Sequence, residues 1–119
     1  MPVSLPFLNR DAFLVRPRER FAHWLRSLDE DATKEDTEAM LNGHGTIYLV
    51  DEFATGGGQE AERYLAKNWR TIAASEFGGW WEDEDDWPRL AGFKQFEEFF
   101  QWSHVEMVHD MGRTSMTLE

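Results

Sequence analysis

The sequence predicts a small single-domain α/β sandwich, with a three-stranded, mostly parallel sheet and about four helices in the order β-α-α-β-α-α-β. Two short, unbroken apolar runs, Ala12–Val15 and Thr46–Val50, read as strands covered on both faces. Stretches of helical periodicity separate them, which favours right-handed crossovers and parallel pairing. An alternating segment near the C-terminus, His104–Met111, supplies the third strand.

Taken in order, Ala12-Phe13-Leu14-Val15 is the first strand. Pro17 ends it, because proline donates no ladder hydrogen bond and suits the first turn of a helix. Phe21, Trp24, Leu25 and Leu28 then recur at helical spacing and predict an amphipathic helix. Thr33 is the expected N-cap of a second, acidic helix that stops at Asn42-Gly43. Thr46-Ile47-Tyr48-Leu49-Val50 is the clearest strand. A loop over Asp51–Gly58 leads into a long helix, Gln59 to Glu76, whose apolar stripe is Ala61, Tyr64, Leu65, Trp69, Ile72 and Ala73. Asn68 falls inside that stripe, so its amide is expected to bond a backbone group. A helix over Gly92–Trp102 buries Phe93, Phe96, Phe99 and Phe100, and His104–Met111 follows as an edge strand with one polar face.

A chain of 119 residues is one domain, expected over 1–111, with 112–119 as a tail. Leu118-Glu119 resembles the remnant left ahead of an affinity tag. The absence of cysteine excludes disulfides, thiolate metal sites and cysteine nucleophiles. No apolar run reaches the length of a membrane span, and the N-terminus lacks a basic stretch followed by an apolar one. A cytoplasmic, soluble protein is expected.

Charge is unevenly distributed within a net of −11. Residues 1–26 hold five arginines against two carboxylates. Beyond them lie two acidic clusters: Asp29, Glu30, Asp31, Glu35, Asp36 and Glu38, and then the run Glu82–Asp86. Such a field repels nucleic acid and anionic lipid and attracts basic partners.

The blocks AFLVRP, FAHWLRSL, TIYLVDEF, WP and FEEFFQWSHVEMVHD resemble a family of short, acidic bacterial proteins, over Asn9 to Asp110. That resemblance implies a compact bacterial cytosolic domain. The family comes without an assigned activity, so it implies no site.

Four groups of residues could carry function. Thr55–Gly58 (TGGG) precedes a helix and could cradle a phosphate, but no Gly-Lys-Ser/Thr follows and carboxylates surround it, so a connector is the better reading. His104, Glu106, His109 and Asp110 offer metal-ligand types. On a strand, however, the two histidines face opposite ways, and no metal or cofactor is expected. With parallel strands, Arg16, Asp51, Glu52, His109 and Asp110 would share one strand-end edge, as an enzyme or ligand site with an arginine clamp and a histidine base.

The fourth group is GGWWEDEDDWP. Trp80, Trp81 and Trp87 bracket Glu82, Asp83, Glu84, Asp85 and Asp86, an apolar platform beside a negative rim. Tryptophan is enriched at interface hot spots, and an acidic rim speeds encounter with a basic surface. The competing reading makes the tryptophans a lid on a core formed by Trp69 and the Phe93–Phe100 helix, with the acids solvated. The functional expectation is therefore a non-enzymatic interaction module of the inhibitor, immunity or regulatory kind, with Trp80–Trp87 facing a basic protein. The strand-end enzyme is the alternative.

Overall fold

The computed structural model describes residues 6–54 and 58–119. Its elements are β1 (Arg10–Pro17), α1 (Glu19–Leu28), α2 (Lys34–Gly43), β2 (Thr46–Asp51), α3 (Gln59–Gly78), a 3-10 turn (Glu84–Asp86), α4 (Phe93–Phe99) and β3 (Phe100–Val105). The β-α-α-β-α-α-β order and the four helices agree with the sequence reading.

The sheet is antiparallel, and this corrects the expectation of mostly parallel strands. Its order is β2-β1-β3, and β1 pairs antiparallel with both neighbours, Arg10 opposite Asp51 on one side and Ala12 opposite Val105 on the other. The reason lies in the first crossover. The helices α1 and α2 have ten residues each and pack on one another. An out-and-back pair of equal length returns the chain to the end of the sheet it left, so β2 enters in reverse. An unbroken apolar run carries no information about direction.

Nor is the sheet covered on both faces. Phe13 and Val15 of β1 point inward with Tyr48 of β2 and with Phe100, Trp102 and His104 of β3. Ile47 and Leu49 point the other way and are 65% and 46% exposed. Helices and sheet therefore form two layers.

The core is aromatic. Phe13, Phe21, Phe77, Phe96 and Phe100 are fully buried, with Leu65 and Val15 between them. Phe77, at the C-terminal end of α3, is the hub: Phe21 stacks on it at 5.5 Å, and Trp24, Phe99 and Phe100 approach at 4.9, 5.7 and 5.4 Å. Each such burial contributes ~1.5–3 kcal/mol. The predicted α3 stripe is the buried face, with Tyr64 at its margin. Asn68 donates to the Tyr64 carbonyl at 2.8 Å, the backbone bond that its position required.

The third strand starts earlier than the alternation at His104–Met111 suggested. Helix α4 stops at Phe99, and the chain turns directly into β3 because Phe100, Trp102 and His104 fill inward places at strand spacing. The bond from Arg18 N to Phe99 O, at 2.8 Å, holds that junction against the end of β1. Beyond β3, among the described residues, Phe7 and His109 form an isolated bridge, with the Leu8 amide donating to the Val108 carbonyl at 2.7 Å.

Candidate functional site

The first wall of the site is the α1–α2 turn. Thr33 and Asp36 form a reciprocal capping box, with bonds of 3.0 and 3.1 Å, which starts α2 sharply. The Thr33 backbone amide, and then its hydroxyl, hold the Asp36 carboxyl below the usual carboxylate range. Asp29 accepts from the Asp31 amide at 3.0 Å and fixes the turn. Arg26 donates to the buried Thr37 hydroxyl at 2.8 Å and clamps α2 onto α1. The carboxylates of Asp29 and Asp36, two of the first acidic cluster, thus occupy defined places.

The second wall begins where α3 ends. Trp80 and Trp81 both direct their backbone N–H to the Phe77 carbonyl, at 3.1 and 3.0 Å, and close the helix. Gly78 then lets the Trp87 ring lie against the helix end, since a Cβ there would stand 3.1 Å from that ring. The loop is bolted through indole nitrogens. Trp87 donates to the Trp81 carbonyl at 2.7 Å, Trp81 to the Asp86 carboxylate at 3.0 Å, and Trp24 to the Asp86 carbonyl at 2.9 Å. Asp83 accepts from the Asp85 amide at 3.0 Å and caps the 3-10 turn.

These bonds divide the tryptophans. Trp81 and Trp87 are half-buried against the core and act as the lid. Trp80 is 43% exposed and meets His44 edge-on at 5.1 Å. On one side of it lies a cleft of about 220 Å³ with Leu25 and Met40 at its apolar base and Asp29, Asp31 and Asp36 around it. On the other side lies a shallow depression bordered by Trp81, Glu82, Asp83 and Asp86. The two acidic clusters, far apart in sequence, meet at Trp80. Sequence reasoning placed Trp80–Trp87 at a surface but had no means to bring the α1–α2 acids there, because that contact depends on how α1 packs on Phe77.

The strand-end group is not assembled. It requires parallel strands, and the antiparallel register puts Arg16 opposite Gln101 while Asp51 stands opposite Arg10, at the other end of β1. Six residues of strand separate the two ends by about 20 Å. Asp51 lies 3.9 Å from Arg10 in an exposed pair. Glu52 is exposed beyond β2. The His109 ring bonds the Pro6 carbonyl at 3.0 Å, and Asp110 accepts from the Gly112 amide at 2.8 Å. Among the described residues, no group of three or more histidine or acidic side chains is placed to hold a metal ion. Thr55–Gly57 lie outside the described residues; Gly58, with φ +68°, is the N-cap of α3.

One pair escaped the sequence reading. Asp11, only 4% exposed, is hydrogen-bonded to His104 Nε2 across β1 and β3. The His104 ring lies 5.7 Å from Phe13 and 5.4 Å from Phe53. The signal was parity: Asp11 shares the inward face of Phe13 and Val15, and His104 that of Phe100 and Trp102.

Compared with protein-family models, with curated proteins and with solved structures, the chain matches none. Among the described residues no helix is long and apolar enough to cross a membrane.

Proposed function

We propose that the protein is a non-enzymatic interaction module that holds a basic protein partner at the Trp80 cleft, in the manner of an inhibitory or regulatory binder. One observation carries this reading: the exposed indole of Trp80 stands between two sets of carboxylates supplied by different parts of the chain. A lysine or arginine laid on that ring gains ~0.5–2 kcal/mol of cation–π attraction, with the carboxylates placed to take its N–H groups. The wider acidic field raises the encounter rate. The apolar base formed by Leu25 and Met40 suits the side chain's hydrocarbon stem.

The test separates Trp80 from its neighbour. Trp80→Ala is expected to change stability by no more than ~1 kcal/mol, since the ring is 43% exposed and stands outside the packed core. Trp81→Ala removes a packed ring and the donor to Asp86, and is expected to cost ~2–4 kcal/mol. Pull-downs from the native organism, with wild type and Trp80→Ala as baits, then read the function. Recovery of a single basic protein by the wild type, in lower yield at high salt and absent with Trp80→Ala, supports the proposal. Equal recovery by both baits sinks it.

A further inference from the structure

A second surface, separate from the Trp80 cleft, follows from the sheet topology. In the order β2-β1-β3, β2 pairs with β1 on one side, and among the described residues no strand pairs on the other. Its outer edge therefore presents a row of unused backbone N–H and C=O groups. Proteins blunt such edges with proline, lysine or a bulge. The strand reads TIYLVD and contains neither proline nor lysine, and its register with β1 runs unbroken from Thr46 to Asp51.

Beside that edge lies a groove of about 270 Å³ between β2 and α3, lined among others by Tyr48, Val50, Tyr64, Asn68, Thr71 and Ser75. Its surface is mixed. Aromatic and aliphatic carbon alternates with hydroxyls and with Asn68, whose amide nitrogen is committed to the Tyr64 carbonyl. An added strand would put every second side chain into this groove while its backbone pairs with β2.

Charge selects the occupant. Glu76 stands at one end of β2, bonded to Thr46 and Tyr48 at 3.0 and 2.8 Å, and Asp51 and Glu52 stand at the other. Arg10 offsets Asp51 in part, and Lys67 is exposed on the same length of α3. The whole chain nevertheless carries −11. A second copy would bring the same negative charge to this edge, whereas a cationic strand is attracted to it.

The geometry points to the β2 edge and the β2–α3 groove as a docking site for an extended, net-basic peptide segment with uncharged side chains at alternate positions. The probe is a fluorescent pool of short peptides that alternate lysine with valine, leucine or threonine, titrated into the full chain and followed by anisotropy. Saturable binding is expected. N-methylating alternate peptide bonds removes the strand donors, and Thr71→Trp, at an exposed position, fills the groove; each is expected to weaken binding at least ~10-fold. The proposal is overturned if no saturable binding occurs by ~1 mM, the weak limit for a specific contact. It is equally overturned if the N-methylated pool binds as well, or if Trp80→Ala rather than Thr71→Trp abolishes binding. A dimer in sedimentation that Thr71→Trp dissociates would mean that a second copy occupies the edge.

Discussion

The Trp24 indole nitrogen donates to the Asp86 backbone carbonyl at 2.9 Å, joining α1 to the acidic loop across 62 residues of sequence. The same ring packs on Phe77 at 4.9 Å and on Phe21 at 5.2 Å. One side chain thus couples the hub of the core to the loop that forms one wall of the Trp80 site. Trp24→Phe keeps an aromatic ring and removes the donor, leaving the carbonyl short of a partner. The expected cost is ~1–2 kcal/mol, with faster amide exchange over Glu84–Trp87 than in α3. Unchanged exchange in that turn would show that the loop holds its place without Trp24.

The pairing of buried Asp11 with partly buried His104 makes the next prediction. Removing one member strands the other: Asp11→Ala is expected to cost ~1–3 kcal/mol, because His104 loses its partner among Phe13 and Phe53. Replacing both, as Asp11→Val with His104→Phe, leaves no orphaned polar atom and should recover most of the loss. Denaturant midpoints for the two singles and the double measure the coupling. A double mutant as unstable as the sum of the singles would mean that the two residues act independently.

How much of this was legible in the sequence depended on the range of the interaction. Local signals held: the α1 and α3 stripes, the Thr33 cap and the backbone bond of Asn68 all follow from neighbours within a few positions. Strand direction was misread because it depends on α1 and α2 folding back on each other, which apolar runs do not report. The third strand was displaced because Phe99 and Phe100 fit a helix stripe by spacing, and it is long-range pairing with the end of β1 that ends the helix. At the site, the Trp80–Trp87 segment was visible as an aromatic, acidic anomaly. Its division into a lid and one exposed ring required knowing which indole nitrogens find acceptors.

Tyr48 gives the fold an alkaline limit. Burial, outweighing its bond with Ser75 and reinforced by the Glu76 carboxylate, pushes its hydroxyl from an ordinary 10.0 up to about 12. A raised folded-state value means that the contribution to stability is complete below the unfolded value and is lost as pH climbs through the folded one. Melting temperature should therefore fall between pH 10 and 12. Tyr48→Phe should flatten that part of the decline, since the replacement has no proton to lose. An unchanged alkaline slope in Tyr48→Phe would assign the decline to other groups.

The acidic run itself divides into structural and free members. Asp86 accepts from the Trp81 indole, and Asp83 caps the 3-10 turn, whereas Glu82, Glu84 and Asp85 point no hydrogen-bonding carboxylate at the loop among the described residues. Converting Glu82, Glu84 and Asp85 to their amides should leave the denaturant midpoint within ~0.5 kcal/mol of wild type, because solvated like charges contribute little and repel one another. Against a basic partner the same triple variant should associate more slowly and with weaker salt dependence, while dissociation stays near wild type, since peripheral charge acts on encounter. Asp86→Ala alone should behave differently. It removes the acceptor of the Trp81 indole, lowers stability by ~1–2 kcal/mol and disturbs the wall beside Trp80. If the triple amide variant unfolds while Asp86→Ala is silent, the loop is held by its charges and not by its indoles.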